Sequence, residues 1–382
     1  MIEVLGVTQL DSEKITTFNA SENSYNENLN HHDKLSHFRR FSSNEQKEII
    51  LRLLNPSNNK DELRKIEEFL RQKGIDAIIS GDFTVTSPLL KVIKDSLGLP
   101  TVTLSAGHRL AFESLDNLGF DKDRLIETYK QALAKVDLII APTRFEASRT
   151  MKKFDLPSNK MRVVFNGVDV QKIECLATES NSSTNVLNKY GVKTKEYFYY
   201  VGRLDSDKGI HIFPFLAKKM SDLIVMSGEH MYDAPCGQLI FKRIISYYGL
   251  ESRIILTGFI NNNEKYALIK NSIATIYPST DAESFGLVPI ESVAAGTPTI
   301  LPEIGPFPEI AKKIGEMVHL YRPFDLGSLV KTTRKVKEQR SEQAINNGIN
   351  AVKKYFDSSR MAMEVVKVIE EAKKLVKAEK LI

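Results

Sequence analysis

The segment Tyr200 to Gly209 reads Y-V-G-R-L-D-S-D-K-G: the end of an apolar run, a glycine, an arginine, an acidic turn, then a lysine and glycine that open a helix. Arg203 and Lys208 would both stand at the carboxyl end of a strand. Gly202 permits close backbone approach, the two cations supply point charges, and the helix N-terminus that follows adds N–H donors and the positive end of a dipole. These are the parts of a diphosphate site. It is not a P-loop, because no glycine directly precedes the lysine and no Ser or Thr follows it, and no G-x-G-x-x-G fingerprint occurs. The alternative is a solvated turn on which Arg203 and Lys208 pair with Asp205 and Asp207.

The second segment, Asp281 to Gly296, reads D-A-E-S-F-G-L-V-P-I-E-S-V-A-A-G and follows the apolar run Ala274 to Tyr277. Seven residues separate Glu283 from Glu291, and Pro289 falls in the first turns of a helix. That arrangement leaves unpaired N–H groups over Ser284, Phe285, Gly286 and Leu287, able to hold a phosphate. Glu283 would face a substrate from the loop, and Glu291 would accept from a sugar hydroxyl. The alternative is two glutamates stabilised by the dipole of the helix they flank.

Apolar runs of strand length alternate with helical stretches, the pattern of parallel sheets covered on both faces, so the class is α/β. The first series of strands is expected at Ile2–Val7, Asp76–Ser80, Thr101–Ser105, Asp137–Ala141 and Arg162–Phe165, with helices such as Asp61–Lys73, Pro88–Ser96 and Phe145–Lys153. The second is expected at Phe198–Val201, Leu223–Met226, Arg253–Leu256, Ala274–Tyr277, Thr299–Leu301 and Met317–Leu320. Two open sheets in tandem result, with an interdomain linker near the polar run Thr178 to Thr184 and ligands outside the strands' carboxyl ends, by the cleft between domains. Residues 11–44, rich in Asn, Ser, Glu and His, read as a long irregular loop. From Ser358 to Ala378, Met361, Val365, Val366, Ile369, Ala372 and Val376 recur at helical spacing.

The chain's 382 residues make about two to three domains. Hydrophobic residues are 42% and charged residues 26%, which excludes a wholly disordered or fibrous chain. Cys175 and Cys236 form no disulfide framework and no C-x-x-C pair, so a reducing compartment is expected. No run of roughly eighteen apolar residues and no signal peptide is read, which favours the cytoplasm, with a peripheral place at the inner face of the cell membrane as the second option. The net charge is +5; residues 1–170 hold 24 groups of each sign, so the excess falls in the second half, without the basic and aromatic blocks of nucleic-acid binding.

Gly202-Arg203-Leu204-Asp205 with Lys208-Gly209, the E-x7-E segment from Glu283 to Glu291, Ala295-Gly296-Thr297-Pro298 and Asn166-Gly167-Val168-Asp169 occur in one order and spacing over roughly residues 137–320. As a set they resemble the family-4 glycosyltransferases (glycosyl transferases group 1). The resemblance implies a GT-B fold of two Rossmann-like domains with a cleft between them: an acceptor side in 1–170, a nucleotide-sugar donor side in 190–350, and a helix over 358–382 packing back on the first domain. It also implies retaining transfer of a hexose-type sugar from a UDP-, GDP- or ADP-sugar to a glycan, lipid or small-molecule acceptor. Arg203 and Lys208 would neutralise the leaving diphosphate, Glu283 would contact the transferred sugar and Glu291 the ribose. Backbone N–H groups near Phe285 to Leu287 would help bind phosphate. In the first domain it points to His108, in S-A-G-H-R, for the donor sugar or leaving phosphate.

No cofactor or metal is then expected. Asp205-Ser206-Asp207 has the letters of a D-x-D pair, but its place in the cation turn argues for capping. His31-His32-Asp33 is read as solvent-exposed, having no further ligand partner, and His37, His211, His230 and His319 as surface or core histidines. One departure from the family stands out: the first strand leads into Thr8-Gln9-Leu10-Asp11 without the expected glycine pair, which bears on the acceptor. Three rivals stay open: a nucleotide-sugar-binding protein without transfer activity, a GT-B epimerase, and, least supported for want of a dinucleotide fingerprint, a tandem α/β dehydrogenase.

Overall fold

Among the described residues every strand pairing in the computed structural model is parallel, and the strands form two separate sheets. The structure describes residues 60–81, 83–105, 121–229, 237–280, 283–339 and 341–379. The expected strand over Ile2–Val7, the loop 11–44, the His31-His32-Asp33 run, His37, His108, His230, Cys236 and Asp281 lie outside them. The chain divides into two units. One comprises the described residues up to Val164 together with those from Met361 onward; the other is Phe165–Arg360.

The first unit holds β1 (Ile78–Ser80), β2 (Thr101–Leu104), β3 (Leu138–Ala141) and β4 (Met161–Val163), in that spatial order. All four residues of β3 are buried, as a strand covered on both faces requires. Asp137, just before β3, accepts from the Thr101 N–H at 2.8 Å and from its hydroxyl at 2.9 Å, and also binds Lys94; that fixes the starts of β2 and β3 side by side. The helix Ser358–Glu379 places Val365, Val368 and Ala372 against Val102, Leu138, Ile140 and Val164. Arg162 holds it from the sheet side through Glu371, its Nε donating at 2.8 Å.

The second unit holds β5 (Tyr197–Val201), β6 (Leu223–Ser227), β7 (Ile254–Gly258), β8 (Thr275–Ile276), β9 (Thr299–Pro302) and β10 (Val318–Tyr321). Their spatial order is β10-β9-β8-β5-β6-β7. The chain runs outward from β5 to β7 and then returns to the other side of β5, so β5 and β8 flank the point where the winding reverses. Tyr197 to Tyr200 are all fully buried. Their hydroxyls find acceptors: Tyr197 donates to the Leu268 carbonyl at 2.7 Å, and Tyr199 bonds the Ser227 hydroxyl at 2.8 Å. Burial raises all three phenols far above their usual range.

Two expectations fail locally. The polar run 178–184 is no linker: helices Val170–Thr178 and Ser180–Tyr190 occupy it, both in the second unit, and the chain passes into that unit at Phe165. Ile173, Ala177 and Val186 anchor those helices in the core, and Gly191 ends the second in a left-handed turn, so packing overrides a composition that favours loops. The helix expected from Pro88 begins at Phe83, with Pro88 in its second turn, where the missing N–H gives up the bond to the Thr84 carbonyl.

Asn166-Gly167-Val168-Asp169 is a local lock. Val168 exchanges backbone bonds with Phe356 (2.8 Å) and Ser358 (3.0 Å), a Cβ on Gly167 would lie 2.5 Å from the Ser358 Cα, and Asp169 caps the helix Val170–Thr178.

His319, on β10, is pushed down from 6.5 to about 4 by burial, with Lys335 adding to the effect. The unfolded chain therefore takes up a proton at pH values where the folded chain refuses it, and stability is lost as pH falls from 6.5 toward 4. Denaturant midpoints of His319→Gln should fall less steeply across that window than those of the native chain; identical slopes would contradict this account.

Candidate functional site

The site grows from the carboxyl ends of β5 and β8. At the end of β5, Gly202 adopts φ +156 and its N–H meets the Ser227 carbonyl at 3.0 Å, while a Cβ on Gly228 would lie 1.9 Å from the Gly202 carbonyl oxygen. The strand ends are packed backbone to backbone. Leu204 is buried and anchors the loop; a tight turn over Ser206–Lys208 follows, closed by Gly209 at φ +71.

That turn is stitched to the loop after β8. The Thr280 N–H and the Ser279 hydroxyl each reach the Asp207 carbonyl at 3.3 Å, and a Cβ on Gly209 would lie 1.9 Å from the Pro278 carbonyl oxygen. Lys208 consequently reaches Glu283 and forms an ion pair with it across 75 residues of sequence. Glu283 Oε1 also accepts from the Tyr277 hydroxyl at 3.0 Å and the Ser279 hydroxyl at 3.5 Å, and Lys208 Nζ lies 5.9 Å from the centre of the Tyr277 ring. Tyr277 is itself buried, stacked on Tyr200 at 6.4 Å and edge-on to Phe307 at 6.0 Å. Burial, reinforced by the Glu283 charge, raises its phenol well above the usual range, so it remains a donor to the carboxylate.

Arg203 is held by two carboxylates, Asp205 and, at 2.7 Å, Asp207. Burial works against its charge, but the hydrogen bond and field of Asp207 together with Asp205 outweigh it. The capping expected of these aspartates is not what they do. Asp205 makes no side-chain cap; it is almost wholly buried and faces the guanidinium, because a buried carboxylate needs a cation more than a short turn needs a cap. The solvated-turn alternative is right about Arg203's partners and wrong about solvent. Lys208 chiefly joins Glu283, and Asp207 stands farther off at 3.8 Å.

The helix Leu287–Ala294 starts at Gly286, φ +90, with no side-chain cap, and Pro289 lies in its first turn. Phe285 is buried, 5.9 Å from the Phe356 ring, so it offers the site only its backbone. Glu291 lies on the same helix but has other partners: the Tyr266 hydroxyl donates to it at 3.1 Å and Lys265 Nζ stands at 2.6 Å. The two glutamates thus belong to neighbouring clusters rather than one. Residue type and spacing alone do not mark Tyr277, Ser279, Lys265 and Tyr266 as site residues. A tyrosine ending an otherwise aliphatic strand, in I-Y-P-S, was the available signal, since a buried phenol must find an acceptor. Among the described residues no group of three or more His, Cys, Asp or Glu could hold a metal ion.

Two all-parallel α/β units, with this cluster at the reversal point of the second, define a GT-B protein. Residues 34–172 match the model of glycosyltransferase family 4 and residues 182–352 that of the glycosyl transferases group 1, and the chain belongs to this group of glycosyltransferases. An uncharacterized glycosyltransferase of Methanocaldococcus jannaschii, MJ1607, is 25% identical over 228 residues, covering 58% of this chain and 57% of that protein. The O-antigen chain mannosyltransferase RfbU of Salmonella typhimurium is 31% identical over 146 residues, covering 37% and 39%. The chain spans between about two-fifths and three-fifths of the length of these relatives. Among solved structures, HepE of Anabaena in complex with UDP superposes with a TM-score of 0.70 at 16% identity, over 81% of this chain and 82% of that one. Sucrose-phosphate synthase of Thermosynechococcus elongatus gives 0.66 at 17%, over 81% and 78%. At those identities the likeness establishes the fold.

Two measurements check the geometry. Gly191→Ala, in open space at φ +65, should cost about 1–2 kcal/mol, while Gly209→Ala, whose Cβ would strike Pro278, should cost about 3 kcal/mol or more in chemical denaturation. A double-mutant cycle of Lys208→Met and Glu283→Gln should return a coupling of about 1–3 kcal/mol; additive losses would mean the pair does not form.

Proposed function

We propose that the chain is a retaining glycosyltransferase that moves a hexose-type sugar from a UDP-, GDP- or ADP-sugar to a glycan, lipid or small-molecule acceptor without a metal ion. The observation that carries this reading is the meeting of Lys208 and Glu283 beside Arg203 and an uncapped helix start, at the reversal point of a parallel sheet. Family membership, mannosyl transfer by the relative RfbU and UDP-glucose binding by the structural neighbour HepE support it.

In this reading the donor diphosphate takes the place of Glu283 as the partner of Lys208. The carboxylate, still held by Tyr277, is freed to accept from a hydroxyl of the sugar. Binding thus exchanges one ion pair for another and orients the sugar in the same step. The bond from the anomeric carbon to the diphosphate oxygen then breaks with its electron pair passing to that oxygen. Lys208, Arg203 and the N–H groups around Gly286 and Leu287 meet the growing negative charge, an arrangement set before the reaction begins. The acceptor oxygen bonds the anomeric carbon on the face the diphosphate leaves, and its proton passes to the departing phosphate. Glu291 and Tyr266 serve the ribose. Residues 1–170 supply the acceptor side, with His108 among them serving the donor sugar or leaving phosphate.

Arg203→Ala and Lys208→Ala should each lower turnover by about 10²–10³-fold, followed as nucleotide released from UDP-glucose, GDP-mannose and ADP-glucose, with calorimetry of UDP, GDP and ADP reporting binding separately. Unchanged turnover in both variants would overturn the site, an inverted anomeric product would overturn retention, and tight nucleotide binding with no turnover would overturn the enzyme.

A further inference from the structure

The helix Gly237–Tyr247 in the second unit buries Phe241 and Ile245 in the core. At 100° per residue the opposite face carries Leu239, Ile240, Arg243 and Tyr247. On an ordinary solvated helix that face is polar. Here Leu239 and Ile240 are each 51% exposed and Tyr247 is 83% exposed. The apolar surface runs on to the neighbouring helix Ile212–Ala217: the Tyr247 ring lies 5.1 Å from Tyr248, and Tyr248 lies 6.1 Å from the exposed ring of Phe215.

Cations are interleaved with this surface. Lys218 Nζ stands 4.3 Å from the centre of the Tyr248 ring, and Lys218, Lys219, Lys242 and Arg243 are all exposed. Among the described residues, two acids lie on the segments that follow the two helices. Glu251 is exposed and accepts a hydrogen bond from Ser246, and Asp222 is already paired with Lys337 at 2.6 Å. The positive excess in the chain's second half is thus expressed locally, beside protruding aliphatic and aromatic side chains.

We propose that this face docks the second unit on an anionic lipid bilayer. Leu239 and Ile240 would enter the acyl boundary, Tyr247 and Tyr248 would sit at headgroup depth, and the lysines and Arg243 would meet lipid phosphates. The four cations decide between occupants: the buried centre of a protein–protein interface is depleted in lysine, whereas an anionic bilayer selects for it. The surface uses none of the residues assigned to the donor, so it stands whether or not the transfer reaction does.

The test is co-sedimentation of the full chain with vesicles of phosphatidylcholine alone and of phosphatidylcholine mixed with phosphatidylglycerol. The chain should partition onto the mixed vesicles only, and less so as salt rises. The double variant Lys242→Glu with Arg243→Glu should weaken partitioning at least about tenfold, and Leu239→Ser with Tyr247→Ser should weaken it also. All four positions are exposed, so melting temperature and nucleotide affinity should stay as in the native chain. Absence of binding to mixed vesicles, or equal binding by the charge-reversed chain, would overturn the proposal. So would concentration-dependent self-association abolished by the same substitutions without any vesicle binding, since the face would then be an interface between copies.

Discussion

The ion pair between Lys208 and Glu283 exists because β5 and β8 are hydrogen-bonded neighbours, and that adjacency governs the rest of the site. In a doubly wound parallel sheet the connections on either side of the reversal point leave in opposite directions, so the loops at that point diverge and open a crevice. Both segments that hold charged groups emerge there. The turn after β5 brings the cations, and the loop after β8 brings a carboxylate and the start of a helix.

Holding those groups at fixed positions needs more than the sheet. Gly209 must take a left-handed conformation and also lie against the Pro278 carbonyl, a demand only glycine meets, and the contact sets where Lys208 points. Tyr277 is a core residue by its ring and a site residue by its hydroxyl. Its packing against Tyr200 and Phe307 fixes the ring, and the ring fixes the donor to Glu283. Core and site are therefore one structure, and a change that loosens the aromatic layer would be felt at the carboxylate.

Pairing the cations with carboxylates also keeps a half-buried cluster from standing as uncompensated charge. Arg203 has Asp205 and Asp207, Lys208 has Glu283, and Glu291 has Lys265 and Tyr266. Charges held this way stay oriented, and in the proposed reaction the Lys208–Glu283 pair is the one that the donor diphosphate replaces. Preorganisation and exchangeability would then meet at that pair.

Local patterning alone marked much of this protein. Runs such as Leu138 to Ala141 and Tyr197 to Val201 declare buried parallel strands, because no polar position interrupts them, and the terminal helix shows in its spaced apolar residues. Arg203, Lys208, Glu283 and Glu291 stood out by type and spacing. What local pattern could not carry was partnership. That Glu283 binds Lys208 while Glu291 binds Lys265 and Tyr266, that Asp205 serves Arg203 rather than a helix end, and that Thr178 to Thr184 is helix rather than linker all depend on contacts between distant segments. Periodicity reports which face of an element is buried; only the order of strands in the sheet decides what that face, and the loop beyond it, will meet.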